Sequence, residues 1–398
     1  MTGVGRRAAG IAIALALAVV AACGAPDPKG ITLWHAYTGA EKTALEASAA
    51  RWNAQHPDEP LTLVAIPYGA FADKLTSAIP GGNGPDLFIY EQDRIGNWVD
   101  DGVIEPIEFY VDDARAARFY DPALAAMAYR GSLWGLPLAM KSLALFYRTD
   151  LVDAPPRTTD ELVALAPKMS ARHGFALAYA NVDLYGHAPW LHGFGGRVLA
   201  DDGSLAIASP EAERAMAFAR DLVATGVAPN DAQAPLVATL FNEGKAATAI
   251  QGPWFIPQIS DGVPWAVAEL PVVSATGKRA APFLGVEGIL MSARARDKDL
   301  AFAVMDALTS DREAVSRAVD ARQLVANVHA ADDPQVAKDT VMAAFRAQLA
   351  NTVPMPKDAA MRSVWTPYRT ALGEVIAGRA EPGAQLLAVE REIESYLK

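Results

Sequence analysis

The chain has 398 residues, of which 52% are hydrophobic and 20% charged, and its formal net charge is −11. These proportions are those of a folded protein with room for two domains of ordinary size, and they exclude a disordered chain. The acidic balance speaks against nucleic acid or an anionic membrane surface as partner, since both select basic patches.

At the amino terminus, Arg6 and Arg7 precede an apolar run from Ile11 to Val20 that is too short to span a bilayer comfortably. Ala21 and Ala22 close it with small residues, the layout of a secretory signal. Cys23 is the only cysteine, so no intramolecular disulfide can form. The stretch Val20 to Cys23 resembles a lipobox. That resemblance implies a signal peptide over residues 1–22, acylation of Cys23, and a lipid-anchored tether over 23–30. Removing residues 1–22 takes away two arginines and no acids, leaving 33 basic against 46 acidic residues, a net −13. No other run reaches membrane-spanning length, so the expected location is extracytoplasmic, tethered to the cell membrane.

Ile31 to Tyr37 mixes aromatic and aliphatic residues as a strand does, and a helix follows from Gly39 to Gln55 with Leu45, Ala49 and Trp52 on one face. Leu61 to Pro67 is a second strand and Phe71 to Ile79 a second helix. Gly84-Pro85 breaks the chain before Leu87 to Tyr90, a short apolar run expected to be covered on both faces. This alternation predicts a mostly parallel, doubly wound α/β sheet. Beyond a helix at Ile95–Asp100, Ser132 to Lys141 is extended and Leu143 to Tyr147 is another buried strand, with a crossing into a second domain near Ala139 to Leu143. That domain repeats the pattern. Thr159-Asp160-Glu161 opens a helix and Gly174 to Ala180 is a strand. The polar, aromatic stretch from Asp183 to Gly196 reads as irregular. Helices at 211–224 and 235–242, strands at 245–251 and 265–270, and a second crossing at Leu284–Gly288 before the strand Ile289–Ala293 follow. Helical segments run over 297–327, and the tail is helical over 334–350, 359–377 and 384–397.

Glu91, Asp93 and Arg94 lie just outside the carboxyl end of the strand Leu87–Tyr90, where open α/β sheets hold their ligands. A ring beside carboxylates and a guanidinium suits a polyhydroxylated ligand: the ring covers an apolar sugar face, and the charged groups exchange hydrogen bonds with hydroxyls. The plainer alternative makes Asp93 a helix cap and Arg94 part of a surface ion pair. Nucleophile elbow, HExxH, phosphate loop and dinucleotide fingerprint are all missing from the sequence. His187 and His192, at an i,i+5 spacing unsuited to one helix face, read as loop or surface histidines rather than a metal pair. Asp93 with Asp183 is a candidate acid–base pair for a secreted glycoside hydrolase. Tyr90, Tyr185, Trp254 and Trp365 fall near strand ends or polar clusters, as rings lining a polyol cleft do.

Six stretches in order, ITLWHAY, GPDLFIYEQDRIGNWVDDGVIEPI, LPLAMKSLALFYRTDLV, FNEGKAATAIQGPW, PFLGVEGILMSA and WTPYRTAL, give the chain a resemblance to the extracellular solute-binding lipoproteins of ABC sugar importers, the maltose-binding-protein-like family. The resemblance spans Ile31 to Lys398. It implies a non-enzymatic monomer without cofactor or metal, a periplasmic-binding-protein-like fold of two doubly wound α/β lobes, and a hinge with the ligand cleft between them. Lobe 1 would comprise 31–139 and 288–335, and lobe 2 140–284 and 336–398. A small carbohydrate and membrane permease subunits are the implied partners. By this resemblance Tyr90 stands where the family often has a stacking Trp, Asp93 and Arg94 match its polar contact pair, and Tyr185 and Trp254 match stacking rings. Asp183 replaces a Glu, and Trp365 and Arg369 match a Trp and an Arg on the late helix. Lys141 stands in place of a Glu, Gly186 in place of a stacking Phe, Ala234 in place of a Tyr, and Glu287 is an added acid at the second crossing. Lys141 is therefore expected to pair with Glu91 or Glu287, or to meet an acidic or amino-substituted ligand. A hydrolase, or a binder of a non-sugar solute, is the alternative function.

Overall fold

The structure is a computed structural model describing residues 29–200 and 202–396; the signal segment and Cys23 lie outside them. Among the described residues no helix is long and apolar enough to cross a membrane. The chain begins β1 (Ile31–His35), α1 (Gly39–Gln55), β2 (Leu61–Ala65), α2 (Tyr68–Ala78), β3 (Leu87–Glu91) and α3 (Ile95–Asp100). Helix α1 buries Leu45, Ala49 and Trp52, and α2 buries Phe71 and Leu75, so each lays one apolar stripe on the sheet. After β4 (Gly135–Lys141) come β5 (Ala144–Arg148), β6 (Phe175–Ala178), α4 (Leu184–Gly193), α5 (Pro210–Ala224), β7 (Ala246–Gln251) and β8 (Trp265–Ala268). The remainder is β9 (Phe283–Met291), α6 (Lys298–Leu308), α7 (Asp311–Ala321), β10 (Leu324–Val325), α8 (Thr340–Leu349), β11 (Val353–Pro354), α9 (Trp365–Ile376) and α10 (Pro382–Tyr396).

Two main sheets result. The first has the order β10-β4-β9-β3-β1-β2, with β11 added to the start of β9; the second has the order β8-β5-β7-β6. Strands β1, β2 and β3 run parallel, while β9 is antiparallel to both β3 and β4. The mostly parallel expectation is thus corrected to a mixed sheet. The chain re-enters the first sheet from the second, and β9 runs against the strands it joins. Helix α8 packs on β8 and β5 of the second sheet, while α9 and α10 pack on α5, so the carboxyl-terminal helices cover the second half of the molecule.

Leu324–Val325 forms a short strand inside the expected helical stretch 297–327, and two further segments differ from expectation for one reason, which is burial on every side. Residues 184–193, expected to be irregular, form α4, in which Tyr185 alone is not buried. With no polar face, the helix shows no amphipathic period. His187 and His192 are accordingly buried within it, not at the surface. Likewise β9 begins at Phe283, and the expected crossing loop Leu284–Gly288 is strand interior, because all nine of its residues are buried. The helix opening at Thr159 is capped by Thr158, whose hydroxyl accepts from Glu161 N.

Strands β3, β4 and β9 meet at a charged junction. The register sets Glu287 directly opposite Glu91, two carboxylates on one face of neighbouring strands, which alone is destabilising. Lys141, at the end of β4, lies between them, its Nζ 3.4 Å from Glu91 Oε1 and 3.1 Å from Glu287 Oε1. Tyr37 donates to the other Glu287 oxygen at 2.6 Å. Burial alone would depress the Lys141 ammonium, but Glu287 and Glu91 together raise it well above an ordinary lysine, so it stays protonated. Replacing Lys141 by Met leaves two facing carboxylates without their cation. The expected cost is on the order of 2 kcal/mol, below the roughly 3–5 kcal/mol of a fully buried pair because the lysine keeps some solvent contact. Denaturant unfolding of Lys141→Met, and of Lys141→Met with Glu91→Gln, checks this: the double variant should recover most of the loss. An unchanged midpoint in the single variant would contradict the assignment.

Candidate functional site

The junction would form the floor of the candidate site, whose first wall is the turn after β3. A 3₁₀ turn, Gln92–Arg94, carries Asp93 and Arg94 immediately beyond the strand. Asp93 caps no helix, and its contact with Arg94 is loose at 3.9 Å. Burial and the neighbouring Glu91 carboxylate push Asp93 up to about 7, with Arg94 offsetting only part of that. Glu41 and Glu91 are also raised, each by burial first, Glu41 then by Glu287, while Lys141 opposes the rise at both. Gln323 donates to Glu41 at 3.1 Å.

Tyr90 sits 6% exposed behind Tyr68, whose ring lies parallel to it at a centroid distance of 6.0 Å, with Phe71 and Trp98 against its remaining sides. The open ring on this wall is therefore Tyr68, 60% exposed. Tyr68 escapes a sequence reading because it opens a helix whose other rings and aliphatics face the core. The one available signal was its place after Pro67, beyond the carboxyl end of β2, which lies beside β1.

The second wall comes from the other sheet. Asp183 caps α4 by accepting from Tyr185 N at 2.8 Å, and its second oxygen pairs with Arg369 at 3.0 Å. Tyr185 lies 6.2 Å from Trp254 and 6.3 Å from Phe283, and Phe283 6.5 Å from Trp365, centroid to centroid. Five of the expected residues, Asp183, Tyr185, Trp254, Trp365 and Arg369, thus form one connected surface through Phe283 and the ion pair. Tyr185 also reaches the floor: a methyl on Gly285 would come within 4.0 Å of its hydroxyl, and Lys141 and Glu91 both act on its phenol. Trp254 is 40% exposed and donates to Gln251 at 3.3 Å.

Two glycines fix this wall. A Cβ on Gly186 would meet the Ala180 carbonyl at 2.2 Å, so no side chain, let alone a stacking ring, fits there. A Cβ on Gly252 would meet the far edge of the Trp254 indole at 2.2 Å, so Gly252 lets that ring fold back over its own turn. His187 and His192 face the interior and are held neutral by burial, at about 3 and about 4. Among the described residues no group of three or more His, Cys, Asp or Glu is placed to hold a metal ion.

What the two walls offer chemically is exposed rings on both sides, hydrogen-bonding groups of both signs, and a floor of buried charges already paired among themselves. The family model for bacterial extracellular solute-binding proteins matches residues 47–344. The maltotriose-binding protein of Pyrococcus abyssi is 28% identical over 355 residues, covering 87% of this chain and 77% of that one. A maltooligosaccharide ABC transporter solute-binding lipoprotein of Streptococcus pneumoniae is 26% identical over 330 residues, 78% of this chain and 75% of its own. Among solved structures, a cyclo/maltodextrin-binding protein complexed with maltotetraose superposes with a TM-score of 0.84 at 28% identity, covering 94% of this chain and 98% of that one.

Asp93 yields a test of this geometry that needs no ligand. A carboxyl whose folded value lies near 7 against an ordinary 3.8 contributes stability that is present at low pH and lost as pH rises toward 7. Asp93→Asn, which mimics the neutral acid, should therefore stabilise the unliganded protein at pH 8 by on the order of 1–3 kcal/mol and much less at pH 4. Thermal unfolding of both proteins across that range is the check, and a gain that does not depend on pH would contradict the placement of Asp93.

Proposed function

Because the chain belongs to the bacterial extracellular solute-binding proteins, we propose that it is the ligand-capturing component of an ABC sugar importer, closing two lobes around a short oligosaccharide and presenting it to a membrane permease. What supports this reading is that Asp183, Tyr185, Trp254, Trp365 and Arg369 form one connected surface and that Tyr185 reaches the Lys141 junction, beside which the turn carrying Asp93 and Arg94 begins. The family is non-enzymatic. Asp183, with one oxygen capping α4 and the other paired to Arg369, is poorly placed for general base work.

The lobe division proposed is 31–139 with 288–335 against 140–284 with 336–398, which follows the two sheets except at the boundary, where β11 and the ends of β4 and β9 belong to the first sheet. Ligand contacts are assigned to Asp93, Arg94, Tyr185, Trp254, Trp365 and Arg369, with Tyr68 added and Tyr90 supporting it from behind. Lys141 and Glu287 hold the floor. Since Lys141 already meets two carboxylates, it is not a free cation waiting for an acidic sugar, and a neutral ligand fits better. A monomer anchored through lipid on Cys23 outside the cytoplasm completes the proposal. Ring stacking and charged hydrogen bonds worth about 1–3 kcal/mol each need only a handful of contacts for micromolar binding, roughly −8 kcal/mol. Closure follows because the ligand touches both walls only in the shut state.

Thermal-shift screening with mono-, di- and trisaccharides, maltotriose among them, followed by calorimetry, tests the function. One class should stabilise the protein by several degrees with micromolar affinity, and no response to any sugar would contradict it. If ionised Asp93 accepts from a sugar hydroxyl, affinity should fall about tenfold from pH 8 to pH 6, as the ionised fraction does, and Asp93→Asn should flatten that slope. Trp254→Ala should weaken binding at least tenfold, as should Tyr68→Ala; an unchanged dissociation constant removes that ring from the site.

A further inference from the structure

Gln92 stands between the two ligand-wall residues and the hinge. It is the first residue of the turn that carries Asp93 and Arg94, and its side chain is fully buried. Strand β3 ends at Glu91, opposite Glu287, so β9 loses that backbone partner at the point where it crosses toward the second lobe. On its other edge β9 is still paired there, with Gly285 facing Lys141 and Val286 facing Met140. On the β3 edge, between the end of β3 and the pairing of β11 with Phe283 and Leu284, the Gln92 carboxamide takes over: its Nε2 donates to Leu284 O at 3.1 Å, and its Oε1 accepts from Val286 N at 2.6 Å. One donor and one acceptor on residues two apart is the pattern a neighbouring strand presents. Val286 is itself fully buried, so without Gln92 its N–H would lose this partner out of reach of water. Leu284 O also accepts from Met355 N at 3.0 Å, which places the segment after β11 at the same crossing.

We propose that Gln92 is a positioning residue for closure, its carboxamide bridging the gap between β3 and β11 along β9 and locking the Asp93–Arg94 turn to the hinge segment Leu284–Val286. The inference rests on the sugar-capture reading for its consequence, but not for its geometry. A ligand drawing on Asp93 and Arg94 then also moves or holds the strand about which the lobes rotate. Side-chain hydrogen bonds suit this place: they tie the hinge strand to the first lobe without extending the sheet into the second.

Two variants test it. Gln92→Leu keeps an apolar filling and removes both bonds. Gln92→Glu keeps the shape and, when protonated, offers the same donor and acceptor; when ionised it can only accept. In the unliganded protein, native-state hydrogen exchange at Val286 should be at least tenfold faster in Gln92→Leu, and this readout needs no sugar, so it decides the latch even if no sugar binds the wild type. With a bound sugar in hand, Gln92→Leu should weaken affinity about tenfold or more, less than additively with Asp93→Asn. The affinity of Gln92→Glu relative to Gln92→Leu should recover from pH 8 to pH 5, and the same recovery should persist when both are made with Asp93→Asn, which removes the titration of Asp93. Should Gln92→Leu fail to fold, Gln92→Glu against wild type, both with Asp93→Asn, carries the test. Unchanged exchange at Val286, or a Gln92→Glu ratio equal at both pH values, would overturn the proposal.

Discussion

Two glutamates facing each other across adjacent strands are tolerated only because a lysine from a third strand lies between them. That constraint explains much of the centre of this protein. Glu91 ends β3, Glu287 lies in β9 and Lys141 ends β4, so neutralising the repulsion also fixes where three strands stop relative to one another. Tyr37, at the end of the first strand's loop, adds a fourth element by donating to Glu287. Because these groups satisfy each other, the charges most deeply placed in the site are structural. In the function proposed above, recognition falls to groups further out: Tyr68, Asp93 and Arg94 on one side, Tyr185, Trp254, Trp365 and Arg369 on the other.

Asp93 shows the opposite arrangement. It lies close to Glu91, with only a distant guanidinium to offset the repulsion, and so it is held near its ionisation midpoint at neutral pH. Such a group weakens the empty protein and is relieved when a hydrogen-bond donor arrives, a common way for binding sites to trade stability for affinity. The same turn contains Gln92, whose bonds to Leu284 and Val286 give that relief a path to the hinge.

How much of this was legible in the sequence follows from what each segment leaves visible. Helix α1 was readable to its exact ends, since Leu45, Ala49 and Trp52 mark one face and Pro57 and Pro60 stop the chain. Helix α4 and the first half of β9 were not, because burial on all sides erases the alternation on which such reading depends. The site was legible wherever a motif carried it: GPDLFIYEQDR for the first wall, GPW for Trp254, WTPYR for the late helix. Tyr68 and Gln92 lay outside that reading, one exposed at the start of a helix that buries only Phe71 and Leu75, the other a glutamine whose two bonds reach residues 192 and 194 positions away. Lys141 was recognisable as out of place, but only the strand register shows that it serves both Glu91 and Glu287.

The central claim is that two lobes shut on a sugar held between these walls. The most direct measurement is the distance between spin labels at Asp58 and Arg172, exposed positions on the first and second lobes, introduced by Asp58→Cys and Arg172→Cys in a chain lacking Cys23. The account predicts that a saturating sugar, found by calorimetry, shortens and narrows that distance distribution. A sugar that binds with micromolar affinity while leaving the distribution unchanged would contradict it.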